Sequence, residues 1–154
     1  MKLPPAGWPR LSVAVFYDDP RAALDWLANA FGFETRACVT GPDGSIVHSE
    51  MEVGEGVIMV GGPSGAAGGK SPRSLGGANT QSTMIFVDGI DAHYARARAA
   101  GAKIAIELAS KDYGDRGYGA LDPEGHLWWF TERIDQAAWD ASIAEHRVPK
   151  VSEA

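Results

Sequence analysis

Residues 15–34 read VFYDDPRAALDWLANAFGFE, and residues 85–104 read IFVDGIDAHYARARAAGAKI. Each is a short apolar strand pattern, an acidic turn and a helical pattern closed by glycine. Phe16 matches Phe86, Asp18 matches Asp88, Ala22 matches Ala92, and Gly32 matches Gly101 after one deletion, so the chain repeats itself about 70 residues along. Self-similarity over such a length marks a duplicated supersecondary unit, and function is to be sought where the two copies face each other.

Around the first copy, residues 10–17 alternate as a strand, with Leu11, Val13, Val15 and Tyr17 on one face and Ser12, Ala14 and Phe16 on the other. Asp18 or Asp19 can cap the next helix, with Pro20 in its first turn, where a missing N–H costs nothing. The same aspartates could act as general bases, but capping explains them without catalysis. Leu24, Leu27, Ala28 and Phe31 form one helical stripe, ended by Gly32. Strand patterns follow at 34–39, 45–53 and 56–60, separated by Gly41-Pro42-Asp43-Gly44 and Gly54-Glu55-Gly56. The first module, 10–60, is therefore βαβββ.

Residues 61–79, GGPSGAAGGKSPRSLGGAN, hold seven glycines and no apolar period, which predicts a mobile linker. A phosphate-binding loop would need glycine six positions before Lys70, and Ser64 stands there. The second module, 81–132, has strand patterns at 81–87, 103–108, 117–121 and 126–131, a helix ending near Gly101, and a turn at Asp122-Pro123-Glu124-Gly125. Together 1–132 make one α+β domain. The tail, 133–154, carries a weakly amphipathic segment expected as a short helix on the outside.

Composition narrows the function classes. The chain of 154 residues carries a formal net charge of −6 with no cluster of Lys and Arg, which opposes nucleic acid as a partner. The single cysteine, Cys38, belongs to no thiolate cluster and reads as a bystander thiol. No run approaches the ~18 apolar residues that span a bilayer, and the first residues lack a signal-peptide core, so a soluble, cytoplasmic protein is expected.

The paired βαβββ grammar, FYDDPRAALDWLANAFGF in the first copy and YGDRGYGALDPEGHLWWF at 113–130 resemble the vicinal oxygen chelate superfamily of glyoxalases, bleomycin-resistance proteins and dioxygenases. The resemblance implies a glyoxalase/bleomycin-resistance-like fold, a homodimer whose partner chain completes a groove, and, in metal-dependent relatives, a histidine or glutamine on the first strand of each module and a carboxylate on the last. The matching positions are Ser12 and Ser82, then Val60 (Met59 if the register slips by one) and Trp129. None is a good ligand for a borderline or hard divalent ion, so neither metal nor cofactor is expected.

On the concave face the resemblance implies, Ser12, Ala14, Phe16, Ile58, Val60, Ser82, Met84, Phe86, Leu127 and Trp129 converge, an apolar lining with two hydroxyls. It reads either as a ligand pocket, with Trp129 stacking on a planar ring, or as a filled core. Tyr113 and Arg116 could orient a polar ligand end, or Arg116 could pair with Asp115 or Asp122. His93 is expected in solvent on the second helix, and His126 in its turn. His48 alternates with Glu50 and Glu52 on one strand face, which could bind a metal, transfer protons or simply be wet. The leading expectation is metal-free binding or sequestration of a small, largely apolar or aromatic molecule. The alternative is a glyoxalase-like metal-dependent lyase, isomerase or dioxygenase with ligands relocated to His48, Glu50 or Glu52.

Overall fold

The computed structural model describes residues 2–63 and 69–147. Two four-stranded sheets repeat one topology. The first comprises β1 (Val13–Phe16), β2 (Glu34–Thr40), β3 (Ile46–Val53) and β4 (Gly56–Gly61) in the order β1-β4-β3-β2; the second comprises β5 (Thr83–Phe86), β6 (Lys103–Ser110), β7 (Asp115–Leu121) and β8 (Leu127–Arg133) in the order β5-β8-β7-β6. In each, the first strand runs parallel to the last and the others are antiparallel. Each parallel pair is bridged by a helix: α1 (Pro20–Phe31) in the first module and α2 (Ile90–Ala99) in the second. The α+β fold and both βαβββ modules follow the sequence reading.

Helix α1 begins as its residues dictate. Asp19, not Asp18, is the N-cap, its carboxylate accepting from the Ala22 N–H at 3.0 Å, and Gly32 closes the helix at φ +78°. Its buried stripe of Ala23, Leu24, Leu27, Ala30 and Phe31 covers Val15, Ile58, Val60 and Met51. Alternation in β8 sends Trp128 and Phe130 to the same core. The Phe31 ring lies 4.6 Å from Phe130 and 6.0 Å from Trp128, so the helical sides of both modules share one core. Trp26 donates to the Ala100 carbonyl at 3.2 Å, and the Arg96 guanidinium donates to the Ala28 and Asn29 carbonyls, neutralising the negative end of α1.

The stretch that carried the family resemblance is the joint between the modules. The Asp122 carboxylate accepts four bonds: from Tyr17 Oη at 2.6 Å, from Trp128 Nε1 at 3.0 Å, and from the Glu124 and His126 N–H groups at 3.0 Å each. Glu124 accepts the Asp18 and Asp19 N–H groups at 2.7 and 3.0 Å, and His126 Nε2 donates to the Phe16 carbonyl at 2.8 Å. Burial first, then the Asp122 charge, pushes the Tyr17 phenol well above its ordinary range. His126 is thus an inter-module contact rather than a free turn residue.

One expectation changes here. The second part of the linker is docked, not loose. A 3₁₀ turn at Arg73–Leu75 holds the Glu124 carbonyl through the Arg73 N–H, and Asn79 bridges the Gly125 carbonyl and the Leu127 N–H. Residues 64–68 lie outside the described part. The tail helix, α3 (Gln136–His146), has no buried residue and is tethered at its start, where the Ile134 and Asp135 N–H groups donate to Gly114.

Candidate ligand site on the open sheet faces

Each sheet has one face under its helix and one left open. On the open face of the first sheet, register aligns Ala14 with Met59, Met59 with Glu50, and Glu50 with Ala37. Val60 instead pairs with Val15 and is buried beneath α1, off the open face; Ile58 is buried on the same side and reaches the ligand site only at the wall of the cavity between β1 and β5. The one-residue slip is the true register. Parallel pairing sets which of two adjacent apolar residues faces out, and an unbroken apolar run such as 57–60 does not display it. In the second sheet, Met84 aligns with Trp129 and Trp129 with Gly119, the pseudo-equivalents of Ala14, Met59 and Glu50.

The open faces are not a filled core. Met84 and Phe86 are 63% and 55% exposed. The amino-terminal part of β1 and the strand β5 are not hydrogen-bonded to each other, yet they line one cavity of about 310 Å³ with Ser12, Val13, Thr83, Met84 and Phe86 among its walls. Among the described residues, Ser12 Oγ is the buried side-chain polar atom with no hydrogen-bond partner. Such an atom costs about 1–3 kcal/mol unless something else satisfies it. Trp129 lies beside Gly119, where a Cβ would crowd Ile106 before it touched the indole, and shares a small cavity of about 80 Å³ with Met84 and Tyr113. Ser82 stands exposed just before β5. The Phe16 ring packs against Gly61 and Gly69, and at Gly69 a Cβ would overlap it.

Arg116 does not reach this surface. It sits on the helix side of β7 and forks onto Asp91 of α2 at 2.7 and 3.1 Å, the structural alternative with a different partner from those expected. Asp115 pairs instead with Arg133, whose guanidinium lies 3.9 Å over Trp139 and 5.6 Å over Phe86. His93 is partly buried rather than solvated: its Nδ1 meets Tyr118 Oη at 2.7 Å and its Nε2 donates to the Phe31 carbonyl at 3.1 Å. Burial lowers its pKa. Spacing on α2 placed it on the polar side, and only the packing of α1 against α2 covers it.

The His48, Glu50, Glu52 face is the open face of the first sheet. His48 Nε2 lies 2.7 Å from Glu50 Oε1, and Arg36 Nε donates to Glu50 Oε2 at 2.6 Å. The bond to His48 first, and then the Arg36 charge, hold the Glu50 carboxyl below its usual range. Arg36 also reaches Glu52, donates to the Gly7 carbonyl and lies 4.6 Å over Trp8. The sequence reading missed Arg36 because it occupies a register shift in β2, outside simple alternation. Among the described residues no group of three or more His, Cys, Asp or Glu side chains is arranged to hold a metal ion. The positions where relatives place ligands offer hydroxyl (Ser12, Ser82), thioether (Met59) and indole (Trp129), a donor set that does not fit a hard or borderline divalent ion.

Two βαβββ modules, each a four-stranded sheet with one face under its helix and one face open, define the architecture. The model of the Glyoxalase/Bleomycin resistance protein/Dioxygenase superfamily matches residues 11–130, and the chain belongs to that superfamily. It is 33% identical over 136 residues to uncharacterized proteins of Mycobacterium bovis and Mycobacterium tuberculosis, covering 86% of this chain and 88% and 79% of theirs. Among solved structures it is similar to TioX from Micromonospora sp. ML1, with a TM-score of 0.67 and 33% identity over 82% of this chain and 99% of that one. The fosfomycin resistance protein FosX of Listeria monocytogenes, complexed with Mn(II) and sulfate, shares the fold at a TM-score of 0.64 and 13% identity, covering 90% of this chain and 97% of FosX. No helix among the described residues is long and apolar enough to cross a membrane.

Proposed function

We propose that this protein binds and sequesters a small, largely apolar or aromatic molecule on its open sheet faces without a metal, as a homodimer in which a second copy covers the exposed Met84 and Phe86. The observation that carries this reading is the unpartnered Ser12 hydroxyl beside the roughly 310 Å³ cavity between β1 and β5, at a position where metal-dependent relatives place a ligand. A hydroxyl there contributes one hydrogen bond, and Met84, Phe86 and Trp129 contribute apolar and stacking area. The relocated-metal alternative draws less support, because His48 and Glu50 are committed to each other and to Arg36.

The test is melting of the purified protein against a panel of planar aromatic compounds. A ligand at about 100 times its dissociation constant adds roughly 2.7 kcal/mol, and Trp129→Ala removes that gain. No stabilisation by any compound refutes the binding role. One tightly held nickel, zinc, iron or manganese per chain, lost in His48→Ala, establishes the metal-dependent alternative instead.

A further inference from the structure

His48 stands on the open face beside Val39 of β2 and two residues before Glu50, which aligns with Met59. Its side chain is 44% exposed, yet its orientation is fixed. Both oxygens of Glu50 are engaged, one by His48 and one by Arg36, and Arg36 is itself held by the Gly7 carbonyl and the Trp8 ring. An ionised carboxylate only accepts, so Nε2 carries the proton toward Glu50, and in the neutral imidazole Nδ1 is the acceptor nitrogen. Nδ1 has no hydrogen-bond partner among the described residues. A histidine backed by a carboxylate is therefore presented on a face that also carries the apolar side chains of Val39, Met59 and Ala14 beside the charges of Arg36, Glu50 and Glu52.

Resting on the binding function above, we propose that His48 recognises a ligand bearing one acidic hydroxyl on a planar ring, a phenol or a comparable enol. The ligand O–H bond breaks as the Nδ1–H bond forms, and the resulting imidazolium is held between the ligand oxyanion and Glu50. Nothing else is consumed or released. The charged groups on the same sheet face set the selectivity: Glu50, in contact with His48, and Glu52 on β3, Glu34 and Arg36 on β2, and no charged side chain on β1 or β4 of this face. Three carboxylates against one guanidinium repel a ligand that arrives as an anion and admit one that arrives neutral and surrenders its proton there.

The experiment compares 4-nitrophenol, nitrobenzene and 4-nitrobenzoate by calorimetric titration at a pH below the phenol's own pKa, with absorbance reporting whether the bound phenol is ionised. Wild type should bind 4-nitrophenol about tenfold or more tightly than nitrobenzene, the worth of one charge-assisted hydrogen bond, should show the phenolate band on the bound probe, and should bind 4-nitrobenzoate most weakly. His48→Gln should equalise 4-nitrophenol and nitrobenzene without weakening nitrobenzene, and Glu50→Gln should keep binding but lose the phenolate band. Equal affinity for the first two probes in wild type, or a preference that survives in His48→Gln, overturns the role of His48 and leaves the binding function standing. Failure of wild type to bind any probe overturns both.

Discussion

Asp122→Ala is the sharpest perturbation of the joint between the modules. The substitution removes one acceptor and strands four donors. Two of them, Tyr17 Oη and Trp128 Nε1, belong to side chains 2% and 0% exposed, where water does not replace the carboxylate. At about 1–3 kcal/mol for each buried unsatisfied donor, the two side chains alone cost about 4 kcal/mol; the Glu124 and His126 N–H groups, in a turn, add less. For a domain of this size 1 kcal/mol moves the melting point by roughly 2–4 °C, so the expected drop is about 8–16 °C. Asp122→Asn keeps one carbonyl oxygen for the backbone donors but turns an NH₂ group toward the other two, and should cost about half as much. Tyr17→Phe removes one stranded donor in advance, so the double variant should be about 1 kcal/mol less destabilised than the sum of the singles. Calorimetric or denaturant unfolding measures all of these. A folded Asp122→Ala protein within about 1 kcal/mol of wild type, or strict additivity with Tyr17→Phe, refutes the idea that this carboxylate holds the halves together.

Three further outcomes are expected. Glu124→Ala deletes the carboxylate that accepts the Asp18 and Asp19 N–H groups and should cost about 1–2 kcal/mol in chemical denaturation. Burial lowers the folded pKa of His93 below its unfolded value of 6.5, so the unfolded chain takes up more protons and stability falls as the pH drops through that value, levelling off below the folded one; His93→Gln should flatten this part of the stability–pH curve while leaving the losses at lower pH from Glu50 and Asp91 intact. Sedimentation should give a dimer for wild type, and Met84→Glu with Phe86→Glu should shift it to monomer without lowering helix content; a wild-type monomer at high concentration would count against the second copy as the cover of this face.

The fold was legible because its signals are local. Alternation in 10–17, Asp19 before Pro20, and Gly32 after Phe31 each name a strand, a cap and a stop, and duplication supplied every signal twice. The candidate site's sheet face was legible only where alternation is clean: Ser12, Ala14, Phe16, Met84, Phe86 and Trp129 fall on the open faces as spacing predicts. It failed where pairing decides. Val60 and Met59 exchange roles because β4 is apolar on both faces. Arg116 turns to Asp91 because β7 alternates from Asp115, and sequence spacing does not show which helix covers it. Asp122 and Glu124 read as turn formers, since their partners lie 105 residues or more away, on Tyr17, Asp18 and Asp19.

Duplication also explains why the two halves are not interchangeable. Helix α2 begins with the Gly89 and Ile90 N–H groups donating to Glu132, which follows Thr131, the partner of Phe86. The corresponding position in the first module, after Gly61, the partner of Phe16, is Gly62, where Pro20 packs closely and no carboxylate exists. Helix α1 takes its acceptor from Glu124 in the second module instead. Helix α1 has its own side-chain cap in Asp19, and the two N–H groups just before it are held across the joint by Glu124, whereas the start of α2 is held by Glu132 of its own module. The open faces have diverged in the same way. The row Ala14, Met59, Glu50 carries a fixed carboxylate with His48 beside it, and the equivalent row Met84, Trp129, Gly119 carries an indole and a gap. The two open faces thus differ in chemistry: the first carries the His48–Glu50–Arg36 cluster, and the second carries Trp129 beside the Asp115–Arg133 pair. The ligand proposed above, a flat apolar body with a single proton to give, is chosen to meet these two kinds of surface.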